Sequence, residues 1–249
     1  MQKLENKVAV ITGGNSGIGL ATAQHFVNEG AQVIITGRNQ QNLQAAKEQL
    51  GSQAYILTSD AGNMNDIRQL AQQVQAIASR IDILFVNAGF GKFSPIGEVD
   101  EAHFDEQFNV NVKGLYFTIQ QLLPLMNDGG AIVLNTSVVT EMGMPGASVY
   151  SATKAAVSSF AKTLGAELTG RKIRVNVVSP GPIETNFFNA TGMTQEQIEG
   201  FAQGVLGKVP MQRFGSPDEV AKAVTFLASE DASYVLGTEI YVDGGMSTL

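Results

Sequence analysis

Tyr150 and Lys154 stand four residues apart in the stretch Ser148-Val149-Tyr150-Ser151-Ala152-Thr153-Lys154. In a helix that spacing puts both side chains on one face, about a turn from each other. An ammonium so placed favours the phenolate, so the pair predicts a tyrosine whose pKa is pulled below its ordinary value of about 10. Such a phenol serves as an acid or base near neutrality. Taken alone, the same spacing is also found on ordinary helix faces.

A second stretch suited to chemistry is Thr12-Gly13-Gly14-Asn15-Ser16-Gly17-Ile18-Gly19, which follows an apolar run and opens an amphipathic one. In that setting the glycines let the backbone approach a pyrophosphate at the positive end of a helix, where free N–H groups point outward. The plainer alternative is a tight strand-to-helix turn. Further on comes Ile34-Ile35-Thr36-Gly37-Arg38-Asn39. It offers no carboxylate for an adenosine ribose 2′-hydroxyl, whereas the Arg38 guanidinium is a planar fork suited to a phosphate. This predicts NADP(H) in preference to NAD(H), with Arg38 as a solvated loop residue the alternative.

The elements that must position these residues are legible as an alternation. Short β-branched runs at 7–11, 32–36, 54–57, 83–86, 131–135, 174–178 and 239–242 are separated by amphipathic stretches at 18–29, 40–50, 63–79, 101–126, 148–169 and 217–228. Runs such as Val8-Ala9-Val10-Ile11 are almost continuously apolar, as strands covered by helices on both faces are. The pattern predicts an α/β fold, a doubly wound parallel sheet in one domain. Gly30 closes the first helix, and Ser216-Pro217-Asp218-Glu219 reads as an N-cap, a proline at the first helical position and acids in the first turn.

Three further pieces accompany the tyrosine and lysine: Asn87-Ala88-Gly89, Asn111 in Asn109-Val110-Asn111-Val112-Lys113-Gly114, and Ser137, thirteen residues before Tyr150. With the loop Thr12 to Gly19, with Asp60, with Pro180-Gly181-Pro182-Ile183-Glu184-Thr185 and with Val242-Asp243-Gly244-Gly245, the chain resembles the classical short-chain dehydrogenases/reductases over essentially its whole length. The resemblance implies a Rossmann-type sheet and an oxidoreductase that interconverts a ketone or aldehyde and an alcohol. It implies that Ser137 holds the substrate carbonyl, that Tyr150 delivers the proton, and that Lys154 binds the nicotinamide ribose and lowers the Tyr150 pKa. Asn111 then holds a water linking Lys154 to solvent. Gly13, Asn15, Ser16, Gly17, Ile18 and Gly19, with Arg38 and Asn39, are the expected dinucleotide contacts at the first two strand ends. Asp60 and Ala61 are expected at the adenine, Asn87, Ala88 and Gly89 along the trough, and Pro180, Gly181, Ile183 and Thr185 at the carboxamide. Gly37 lacks the acid of NAD-preferring members, while Asn15-Ser16 lack the base that many NADP-preferring members carry.

Composition removes other classes. The 249 residues carry 16 Lys+Arg against 23 Asp+Glu, a net charge of −7, which argues against a general phosphate-backbone binder of nucleic acid. There is no cysteine, so disulfide, thiol and Cys-metal chemistry are out. No apolar stretch is long enough to cross a bilayer and the first residues hold no signal core, so a cytoplasmic, non-membrane protein is expected. His25 and His103 lack metal-ligand spacing and no metal is expected. Glu98, Asp100, Glu101, Asp105 and Glu106 read as the acidic start of a helix.

The substrate pocket is expected from Phe90 and Phe93 on one side, Val139, Met142 and Met144 between Ser137 and Tyr150, and Phe187, Phe188 and Phe201 in a glycine-jointed lid at about 184–212. These aromatics favour bulky apolar ketones. A second substrate class is a β-ketoacyl group on an acidic carrier protein, whose docking wants exposed basic residues near the site; the stretch Pro124-Leu125-Met126-Asn127-Asp128-Gly129-Gly130 has none, although Arg171-Lys172 lies before the sixth strand. Glucose, polyol and steroid dehydrogenases of the same family stay open, as does a nucleotide sensor without chemistry. The resemblance implies a homotetramer, to which Val220, Val224, Phe226 and Leu227 would bring an exposed apolar group.

Overall fold

The computed structural model describes residues 2–185, 200 and 204–249. Seven strands form one parallel sheet: β1 (Val8–Ile11), β2 (Gln32–Gly37), β3 (Ala54–Thr58), β4 (Ile81–Val86), β5 (Met126–Asn135), β6 (Arg174–Pro180) and β7 (Glu239–Val242), in the order β3-β2-β1-β4-β5-β6-β7. The expected doubly wound α/β architecture is what the chain adopts. Side chains of successive strand residues leave opposite faces, so the apolar runs feed two cores. Ala9, Ile11, Val33, Ile35, Ile83, Phe85 and Val133 pack against α1 (Gly17–Asn28), α2 (Gln40–Leu50) and α7 (Pro217–Ala228). Val10, Ile34, Leu84, Val86, Ile132, Leu134 and Val175 pack against α3 (Met64–Gln75), α5 (Leu115–Leu122) and α6 (Ser148–Leu168). β1 lies between β2 and β4, where the winding reverses, and this opens a crevice at the carboxyl ends of the strands.

Local signals set several boundaries as expected. Gly30 takes φ +89° behind α1. Ser216 and Glu219 form a complete capping box at the start of α7.

Other boundaries differ from the expectation. The helix expected at 101–126 is four pieces: α4 (Glu101–Phe108), a π-turn over Asn109–Gly114, α5, and a 3-10 turn over Leu123–Leu125. A Cβ on Gly114 would lie 1.9 Å from the Ala61 carbonyl oxygen, so the helix passes the loop after β3 with no room for a side chain, and Asn109 Nδ2 donates to the Gly62 carbonyl at 2.7 Å. That docking coincides with a widened turn, which carries Asn111 to a fully buried position. Met126 ends no helix; it begins β5, whose ladder to β4 is irregular between Ile81 and Ile83. The third helix closes at Gln75, short of 79.

Val220, Val224 and Leu227 are not an exposed apolar group. All three are buried within the chain, because α7 lies along α1 and over the sheet, with Phe226 packed against the same core. The basic pair is divided. Arg171 is spent on Asp128 at 2.9 Å and on the carbonyls of Leu123 and Met126, while Lys172, in a left-handed turn, is exposed. Both precede β6, at the end of the sheet opposite the crevice.

Candidate active site

At the end of β1, Thr12 Oγ1 accepts from the backbone N–H groups of Asn87 and Ala88, both at 3.0 Å. Asn87 Nδ2 in return donates to the carbonyls of Thr12 and Gly13 at 3.0 and 3.2 Å. The two strand ends are thereby stitched together under the glycine loop. Gly19 is obligatory here, since a Cβ would sit 2.2 Å from the Gly13 carbonyl oxygen and 2.7 Å from Asn87 Nδ2. Gly13 and Gly17 take φ +63° and +51°, the left-handed region that suits glycine. The far side of the loop meets Thr185, whose Cγ2 is 3.4 Å from the position of a Cβ on Gly17. Ile183, bridged to Gly215, and Gly181, held against Asp243, steer that segment beyond buried Pro180.

A dinucleotide fits this cradle. Helices α2, α3, α4 and α7 are capped by the side chains of Asn39, Asn63, Asp100 and Ser216, whereas Ser16 at the head of α1 makes no cap bond and the first turn holds no acid. The leading N–H groups and positive end of α1 are therefore left for an anion, beside a glycine-rich loop. At the end of β2, Arg38 is exposed and Gly37 is covered by Asn15, whose Oδ1 is 2.7 Å from the position of a Cβ on Gly37. Asp60 turns the loop after β3 by accepting from the Gly62 N–H, and Ala61 abuts Gly114.

Across the crevice, α6 opens at Ser148, so Tyr150 and Lys154 lie in its first turns, both buried. Ser137, at the end of β5, hydrogen-bonds Tyr150. Lys154 Nζ is 5.8 Å from the Tyr150 ring centre and donates to the Asn135 carbonyl at 2.9 Å. Gly89 leaves the gap beside it open: a Cβ there would stand 3.4 Å from Lys154 Nζ and 3.0 Å from Asn111 Oδ1. The Asn111 side chain is committed, accepting from the Phe90 N–H at 3.0 Å and donating to the Phe90 carbonyl and Thr153 Oγ1.

The expected direction of the tyrosine shift is reversed. Burial pushes the Tyr150 phenol up to about 12, only partly opposed by its hydrogen bond with Ser137. Burial also brings the Lys154 ammonium down to about 8. Sequence spacing reports that a cation is near; it does not report that both groups lose water, or that the ammonium hydrogen-bonds a carbonyl.

Of the expected pocket residues, Phe93 stands edge-on to Tyr150 with ring centres 5.8 Å apart, and Val139 is buried beside Ser137 in a short 3-10 turn. Phe90 and Phe93 belong to a loop held from behind by Asn111, by Gln107, whose Oε1 accepts from the Lys92 N–H, and by a bond from the Ser94 N–H to the Gly146 carbonyl. Met142 and Met144, half-buried, lie in the loop between Ser137 and α6. Phe187, Phe188, Phe201 and most of the proposed lid lie outside the described residues. His25 pairs with Asp218, and His103 with Gln107. Among the described residues no group of three or more His, Cys, Asp or Glu is placed to hold a metal, and no helix is long and apolar enough to cross a membrane. Two contributors went unread: Gln107, whose only signal was a polar residue on an inward face, and Asn135, two places before Ser137 on a strand otherwise read as apolar.

A sequence family described as enoyl-(acyl carrier protein) reductase matches residues 13–247. A 3-oxoacyl-[acyl-carrier-protein] reductase of Thermotoga maritima is 39% identical over 251 residues, covering 98% of this chain and 99% of its own. Glucose 1-dehydrogenase of Gluconobacter oxydans is 35% identical over 253 residues, covering 98% and 93%. A solved structure described as a short chain dehydrogenase/reductase family protein superposes with a TM-score of 0.86 at 37% identity, covering 99% of this chain and all of the other.

Proposed function

The chain belongs to the short-chain dehydrogenase/reductase family, and on that premise we propose that it is an NADP(H)-dependent oxidoreductase interconverting a ketone or aldehyde and the corresponding alcohol. The observation that carries the reading is Tyr150 bonded to Ser137, with Lys154 beside it, facing a glycine-rich anion cradle across one crevice. A dinucleotide held by the glycine loop would supply or take up the hydride. Ser137 donates a hydrogen bond to the substrate oxygen, and Tyr150 O–H delivers the proton as that oxygen gains charge. At neutral pH the phenol, pushed up to about 12 by burial, is in its acid form, the form that carbonyl reduction needs. Lys154 orients the ribose. Phe90, Phe93, Val139, Met142 and Met144 are the apolar walls that favour bulky substrates.

Arg38 and Gly37 support the choice of NADP(H). An acidic side chain at 37 would collide with Asn15, and Arg38 stands exposed beside it. Arg38→Ala is expected to weaken NADPH about 10- to 100-fold more than NADH, the worth of one charge-assisted bidentate contact. Rates with both dinucleotides on one ketone check this, and unchanged discrimination places the 2′-phosphate elsewhere. Tight NADPH binding with no turnover across a broad ketone and aldehyde panel makes the protein a sensor instead.

The relative acting on 3-oxoacyl carrier protein, and the acyl-carrier description of the matching family, favour a carrier-bound β-ketoacyl substrate as the second reading. Against it stand the place of Arg171 and Lys172 at the end of the sheet opposite the crevice and the pairing of Arg171 with Asp128. Carrier-bound substrate turned over much faster than free ketones reverses the ranking.

Assembly into a homotetramer completes the reading. Phe104, stacked on Phe108, and Tyr116, packed on Phe160, leave an aromatic face along α4, α5 and α6, where a second copy would bury it. Light scattering at micromolar concentration is expected to give four chain masses; a monomer mass overturns the assembly, and a dimer leaves one interface.

A further inference from the structure

Asn135, the last residue of β5, touches both halves of the site, and the hydrogen-bond directions around it are forced. Asn87 Nδ2 is committed to the carbonyls of Thr12 and Gly13, which only accept. Asn87 Oδ1 must therefore face the other way and requires a donor. Asn135 Nδ2 supplies it at 2.9 Å, and this leaves Asn135 Oδ1 buried and without a partner among the described residues. A side chain chosen for stability alone would be apolar, like its neighbours Val133 and Leu134, and would avoid an unsatisfied acceptor. Meanwhile the Asn135 main-chain carbonyl receives Lys154 Nζ, the one titratable group that it bonds.

We propose that Asn135 is a positioning residue for dinucleotide binding: its side-chain amide locks the orientation of Asn87, and Asn87 forms the floor of the glycine loop. The consequence reaches the loop directly, because Asn87 Nδ2 lies 3.1 and 2.7 Å from where Cβ atoms on Gly13 and Gly19 would be. If Asn87 rotated its amide, an oxygen would face the Thr12 and Gly13 carbonyls and push the loop out of shape. This inference rests on the reading of the cradle as a dinucleotide site.

The test is calorimetric titration with NADP⁺ at pH 8 and pH 5, with melting curves in parallel. Asn135→Asp keeps the shape but at pH 8 removes the donor, and its Kd is expected to rise about tenfold or more over the unaltered protein. At pH 5 the introduced carboxyl, once protonated, again donates to Asn87 Oδ1, and the ratio to the unaltered protein falls to about threefold or less. Asn135→Leu lacks both donor and charge, and its Kd is expected to rise about three- to tenfold at both pH values. A purely structural role would lower the melting temperatures and leave these affinities and their pH dependence unmoved. Weakening in Asn135→Asp without weakening in Asn135→Leu would mean charge repulsion rather than a lost donor, and overturns the proposal. Unaltered protein that binds neither NADP⁺ nor NAD⁺ removes the functional reading, and the proposal with it; binding by the unaltered protein matched by both variants removes the proposal alone.

Discussion

Tyr150→Phe is expected to cut turnover by about 10²- to 10⁴-fold, the range that a positioned proton donor contributes, and to leave dinucleotide affinity within about twofold. The substitution removes one oxygen from a buried ring whose edge contact with Phe93 stays in place, so the pocket keeps its shape. What disappears is the proton and the partner of Ser137. Single-turnover rates and dinucleotide titration separate the two effects, and retained turnover would falsify the proton role. The direction of the pH dependence follows from the phenol held up at about 12. Its acid form, needed for reduction, is present below that pKa and lost as pH rises through it; its base form, needed for alcohol oxidation, is gained over the same range. Oxidation is therefore expected to climb through the alkaline range while reduction declines. Identical pH profiles in both directions would place the proton elsewhere.

Lys154→Met carries the second large effect, and its two parts have opposite signs. Turnover is expected to fall by about 10²-fold or more, since the ammonium that steadies Tyr150 and the ribose is gone. Stability at pH 7 is expected to rise by about 1–3 kcal/mol. The lysine is lowered from 10.5 to about 8 by burial, and a shift of that size corresponds to about 3 kcal/mol at most, reduced by the Asn135 carbonyl left without its donor. The folded state holds fewer protons than the unfolded one between about 8 and 10.5, so the lysine's penalty is complete below 8 and fades as pH rises through that window. Tyr150 acts oppositely: its proton is retained longer in the folded state, so stability falls between about 10 and 12 in both proteins. Denaturant unfolding at pH 7 and pH 10 reads the difference. A variant less stable than its parent at pH 7 would mean that the buried ammonium is compensated by contacts other than the Asn135 carbonyl. A gain in stability with a loss of turnover is what a strained catalytic group produces.

Much of this protein is determined locally, and local features are what a sequence displays. The short, continuously apolar runs and the helical patterns between them fix a parallel sheet with two covered faces, because each strand must bury both sides. The glycine run after β1 announces a cradle, because only residues without a Cβ pass Gly13 and Asn87 so closely. The spacing of Tyr150 and Lys154 announces a shared helix face. Ser216 with Glu219 and Gly30 mark helix ends, because caps satisfy backbone groups within a few residues of each other.

The tertiary structure decided whatever depends on neighbours distant in sequence. The break at Asn109–Gly114 comes with the packing of Gly114 on the Ala61 carbonyl, which no helical period in 101–126 encodes. Val220, Val224 and Leu227 read as a surplus apolar patch until α1 is seen lying against them. Arg171 reads as a free base until its three acceptors are placed around it. The sign of the Tyr150 shift was decided the same way. Spacing along a helix specifies how near Lys154 is, but desolvation depends on everything that packs over both groups, and at Tyr150 it outweighs the Ser137 hydrogen bond. Asn135 is the sharpest instance: as a letter it is one polar residue closing an apolar strand, and only the fold brings Asn87 and Lys154 to it from opposite sides of the crevice.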